Sequence, residues 1–184
     1  MRLLLVLAMA FSILMIYITQ ASFIFQGRFG LSKEAFSLIM AGAVAAMAAL
    51  NLTNRWLLRF WAPITVLRSA ISLQAAALVY LTALSWAGPS LALFLPGLIL
   101  AIATFGVAMP NTFSSFLEFF PDISATATAL MGATRFTIAG LLSALSSVLA
   151  EGGLLPIVLL MGACSLTAMG LVWGGGLRPR ETGL

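Results

Sequence analysis

Six long apolar runs, each of 20 residues or more, dictate what this chain can become. They lie at about 3–26, 35–54, 66–86, 90–114, 125–149 and 154–174. About 20 apolar residues wound as a helix match the roughly 30 Å hydrocarbon layer of a bilayer. That layer holds no water to bond free backbone groups, so each run must satisfy its own amides by being helical. Little is left over to make a wettable surface. Only 8% of the 184 residues are charged and 62% are apolar, against about a quarter charged in a soluble domain. The expected fold is an all-α membrane protein. It is a bundle of six transmembrane helices forming one domain over residues 1–184, with the lipid bilayer as its solvent.

The breaks carry the helix-breaking residues and most of the charge: GRFGLSKE (27–34), NRWLLRFWAP (54–63), WAGP (86–89), LEFFPDISA (117–125) and EGG (151–153). The first run, with Arg2 ahead of it, has the outline of a signal peptide. A signal h-region is about 7–15 residues long, whereas this run continues to about Phe25 without a small-x-small cleavage site, so it reads as a span. An even number of spans puts both ends on one side. With the ends inside, the cytoplasmic segments hold Arg2, Arg55, Arg59, Arg68, Arg178 and Arg180, and the outer loops only Arg28 and Lys33. The positive-inside rule favours that orientation. It also accounts for the net charge of +4 without a nucleic-acid partner.

Several chemistries are excluded by composition. The chain has no histidine and a single cysteine, Cys164. Histidine-based acid–base catalysis, haem ligation by histidine and most zinc sites are therefore ruled out. Serine hydrolysis through a histidine is equally closed, and no pair of aspartates lies within a span. The chain reads as neither an enzyme nor a cofactor carrier.

Function must then be sought among the polar side chains at membrane depth. Arg135 is the sharpest of these. It falls near the middle of the fifth run, where an arginine costs roughly 2.5–3.5 kcal/mol on insertion scales, and no acid in the chain lies at similar depth. Either it lines a polar cavity and meets an anionic group on a substrate or partner, or it snorkels or ties backbone carbonyls. Thr128, Gly132, Arg135 and Ala139 share one helical face. Pro110 breaks one intrahelical bond, and Asn111 can engage the freed carbonyl, a neighbouring helix or a substrate. Tyr17 and Gln20 share a face of the first run, for interhelix bonding or ligand contact alike. Ala41, Ala45 and Ala49, reinforced by Gly42 and Ala46, form a small-residue ridge that lets another helix approach closely. Gly140 and Ala144 offer a second, weaker one. The third and sixth runs carry the fewest polar residues at mid-depth and are expected on the outside. The first, second, fourth and fifth are expected to surround the polar interior.

YITQASFIF (17–25), then FGLS (29–32), Phe36, an alanine-rich helix ending in NLTNRWLLR, a later VLR, and AMPNTFSSFLEFFPDISATATALMGATRF (108–136) form a series. It resembles the second half of the major facilitator superfamily, in particular its Bcr/CflA-type drug-resistance branch. The likeness covers nearly the whole chain. It implies a carrier of about twelve spans in a bacterial inner membrane, working as a proton antiporter for drugs or metabolites. This chain would supply the second six spans, with both termini cytoplasmic. Partners would be a separate or missing N-terminal six-helix half or a second copy, together with a small-molecule substrate. Each half of such a carrier is two inverted three-helix repeats, although 3–86 and 90–174 show no internal sequence match. Where the family's loop between the second and third helices of a half carries an acid–arginine pair, this chain has Asn54, Arg55 and Arg59, which the resemblance makes a cytoplasmic gating loop. Arg135 departs from the amide usual at its place. The substrate-cavity candidates are thus Tyr17, Gln20, Asn111, Thr128 and Arg135. The alternative expectation is a non-transporting scaffold or regulatory subunit, or the remnant of a truncated gene.

Overall fold

The computed structural model describes residues 2–88, 90–120 and 122–174. Arg178, Arg180 and Glu181, part of the tail weighed in the charge count, lie outside them. Among the described residues the chain is helical throughout and has no strand. Seven α-helices build six spans, each long and apolar enough to cross a membrane, which is the architecture of a multi-pass membrane protein. They are α1 (Arg2–Ser22), α2 (Lys33–Leu57), α3 (Pro63–Ala87), α4 (Leu91–Ala103), α5 (Phe105–Leu117), α6 (Ser124–Leu149) and α7 (Leu154–Trp173). The first span is extended past α1 by a wide-turned segment, Phe23–Arg28. The fourth span is α4 and α5 in line, joined at Thr104, whose backbone stays helical.

Local chemistry sets the ends. Ser32 caps α2 by accepting the Ala35 N–H at 3.3 Å. Pro63 opens α3, where its missing N–H leaves nothing unpaired. Gly88, at φ 83°, closes that helix in the left-handed region that glycine enters freely. The second helix runs three residues past its expected end at 54, so Arg55 of the expected gating loop is helical along with Asn54.

Packing arranges the spans in two rows. The α1 helix contacts α5, α6 and α7. The α3 helix contacts α4, α5 and α7. At the margins, α2 rests on α4 and α5, and α6 rests mainly on α1. The front row is therefore α2, α4–α5, α1 and α6, with α3 and α7 behind. Burial is lopsided. In the most apolar window of each span, 67% of the first is buried, 61% of the fourth and 56% of the third. Only 6% of α2 and 11% of the α6 span are buried.

The spans expected to surround the polar interior, the first, second, fourth and fifth, form the front row, and the third and sixth stand behind it; what the sequence did not announce is that α2 and α6 are the most exposed within this chain. Hydropathy could not reveal this, because lipid tails are as apolar as leucine and a uniformly apolar helix suits a packed row as well as the bilayer. For the same reason the core is held by close packing and interhelix hydrogen bonds rather than by escape from water. Val6, Leu7, Ala8, Ala10, Ile13 and Ile16 of α1 are fully buried.

Candidate functional site

Four polar arrangements lie along the front row. The first joins α2 to α5 near the end of the bundle that carries Arg55 and Arg59. Pro110 has no N–H to give the carbonyl four residues back, that of Gly106. Asn51 of α2 fills the vacancy, its Nδ2 donating to the Gly106 oxygen at 2.9 Å. The approach is close enough that a methyl added at Gly106 would overlap the Met47 backbone carbonyl, so only glycine fits. One turn on, Asn111 Nδ2 donates to Asn54 Oδ1 at 2.7 Å and to its own helix at Val107 O at 2.8 Å. Both asparagines are buried, and Asn111 Oδ1 is left without a partner. The carbonyl freed by the proline is thus taken by Asn51, which the sequence reading had not made a candidate. Asn111 meets Asn54 instead. Beside this network an apolar groove of about 140 Å³ lies between α2, α3 and α5, lined by Leu50, Leu57, Val66, Ala70 and Val107.

The second arrangement surrounds Arg135. Its Cα lies about 16 Å from the start of α6 at 1.5 Å per residue, close to the middle of the span. The guanidinium carbon sits 4.9 Å from the ring centre of Phe11 on α1, 4.9 Å from that of Phe136 on α6, and 5.7 Å from that of Phe113 on α5. Phe11 and Phe136 stand edge to face, with centroids 4.9 Å apart. Three ring faces at about 0.5–1 kcal/mol each go a long way towards the roughly 2.5–3.5 kcal/mol of placing an arginine at depth. The rings answer the charge but not the donors. Nε and Nη1 are buried and have no hydrogen-bond partner, while Nη2 is not sealed off and is likewise unbonded. An orphaned buried donor costs about 1–3 kcal/mol. The cage therefore holds a cation still short of acceptors. The acids described, Glu34, Glu118, Asp122 and Glu151, all lie at helix ends or in turns.

The third joins α1 and α6 at the opposite end. Gln20 Nε2 donates to the hydroxyls of Ser146 at 2.9 Å and Ser147 at 3.2 Å, and the Thr19 and Ser143 hydroxyls pair at 3.2 Å. Gln20 is buried in this seam. The fourth is Tyr17, whose hydroxyl donates to Met40 Sδ at 3.1 Å across to α2, with its ring edge-on to Phe25.

The candidates from the sequence are therefore spread along the row. Tyr17 and Gln20 leave α1 in different directions, Asn111 is engaged with Asn54, and Arg135 stands between α1, α5 and α6. Thr128 is exposed on α6, seven residues before Arg135. Among the described residues they do not close around one cavity. Arg55 and Arg59 are exposed at the α2–α3 turn among Trp56, Phe60 and Trp61, the aromatic and basic mixture usual at a membrane–water boundary. The phenylalanines of the Arg135 cage were missed by sequence reasoning. In an apolar run they look like core filler, and only the adjacency of Arg135 and Phe136 hinted otherwise. No group of three histidine, cysteine, aspartate or glutamate side chains that could hold a metal occurs among the described residues. In comparisons with known proteins, no family model, no curated protein and no solved structure matches the chain.

Proposed function

We propose that this chain is one six-helix half of a membrane carrier of the major facilitator type, for drugs or metabolites. In this reading it sits in a bacterial inner membrane with both termini cytoplasmic. One observation carries the reading. Both small-residue ridges of the sequence, Ala41–Ala45–Ala49 on α2 and Gly140–Ala144 on α6, are exposed, with no helix of this chain against them. Small residues let helices approach closely and gain van der Waals contact. Here they flank the front row and leave α1 and α4–α5 recessed between them. A second six-helix body, an N-terminal half or another copy of the chain, would pack on these two ridges and close the recess into a midplane cavity. Rocking of one half on the other would then open the cavity to alternate sides. In the same reading Arg55 and Arg59 sit at the cytoplasmic mouth as gating residues, and proton coupling belongs to the other half.

The test is composition and then activity. Particles drawn from membranes into polymer-bounded discs are weighed by native mass spectrometry. The proposal expects a particle holding a second six-span body, and a lone 19.4 kDa chain would overturn it. Reconstituted alone, the chain should show no proton-coupled efflux.

A further inference from the structure

We propose that the caged guanidinium of Arg135 is the binding cation for an amphipathic organic anion, a carboxylate or similar oxyanion carried on an apolar body. Four observations meet here. The charge is kept at mid-depth by three ring faces instead of by an acid, so it is not neutralised. Nε and Nη1 are buried without acceptors and Nη2 is unsealed and unbonded, which leaves a fork of the shape that pairs bidentately with a carboxylate. The acids described stand at helix ends and in turns, so none occupies that fork. The surroundings, Phe11, Phe113 and Phe136, offer apolar contact to the body of the ligand. A cation held only by ring faces would serve as well as a mere tie if its nitrogens were bonded to backbone carbonyls, but they are not.

The inference rests on the carrier reading for what the anion is there to do. Binding itself needs only residues of this chain, so the two fail separately. The purified six-span chain in phosphatidylcholine discs is titrated with benzoate and, separately, with neutral benzamide, by saturation-transfer NMR. Benzoate should bind saturably and benzamide at least tenfold more weakly. Arg135→Gln should weaken benzoate at least tenfold. Arg135→Lys, which keeps the charge and loses the fork, should fall between, and Arg55→Gln should match the unaltered chain. Equal binding of benzoate and benzamide by the unaltered chain overturns the proposal without any variant, so it stays testable if Arg135→Gln does not fold. Benzoate binding that survives Arg135→Gln in a folded chain overturns it too. A repeat in discs containing phosphatidylglycerol separates the two sources of oxyanion. Undiminished benzoate binding supports a free solute, and loss of that binding assigns the site to a lipid phosphate and overturns the solute reading.

Discussion

The α1 and α2 helices are both strongly apolar and both long enough to span a bilayer, yet they are used in opposite ways. The first is sunk in the bundle with seven of its residues fully buried between Val6 and Ile16, and it touches α5, α6 and α7. The second has Ala43 and Asn54 as its only buried residues. It is held along one edge by two asparagines and the notch at Gly106. Apolarity therefore determines whether a segment enters the membrane and not which side of it another helix covers. In lipid that second choice falls to small residues and to the few groups able to hydrogen-bond.

This contrast can be broken in graded steps, read as unfolding in dodecyl sulfate–lipid micelles. The largest effect is expected in α1, where Ile13→Ala should cost about 2–5 kcal/mol through the cavity it leaves. Val44→Ala on the exposed side of α2 should change stability by no more than about 0.5 kcal/mol, and equal losses at both sites would erase the distinction. Next, Gly106→Ala should cost about 1–3 kcal/mol by pushing Met47, and α2 with it, off α5, with a rise in proteolysis of α2 as its signature. Asn51→Leu should cost about 1 kcal/mol by orphaning the Gly106 carbonyl. Smallest is a coupling. Pro110→Ala returns an N–H to that carbonyl, so Asn51→Leu should cost about 0.5 kcal/mol less in the Pro110→Ala background than in the parent chain. Strict additivity would mean that Asn51 does not serve the proline break.

Much of the fold was legible in sequence because span length, glycine–proline breaks and charged turns obey the bilayer directly. All six spans were recovered, with ends off by a few residues where capping decided them, as at Ser32 and Pro63. The layering was legible in part. Polar count set the third and sixth spans apart from the polar interior, and α3 and α7 form the back row, but it did not mark α2 and α6 as the least buried. The site was legible residue by residue and not as a geometry. Arg135 was marked by its cost, yet its cage draws Phe11, Phe113 and Phe136 from three helices, and such convergence has no linear signature. Asn51 was not singled out by the sequence. Its role depends on Pro110, which lies 59 residues away.

The central claim is that the two exposed ridges are protein interfaces and not lipid-facing surfaces. Spin labels at Ala45→Cys on α2, Ala144→Cys on α6 and, as a lipid-facing reference, Leu166→Cys on α7, all with Cys164 replaced by serine, measure this through collision with dissolved oxygen in native membranes. Low oxygen accessibility is expected at 45 and 144 beside high accessibility at 166. High accessibility at all three would mean that nothing covers the front row, and would contradict the claim.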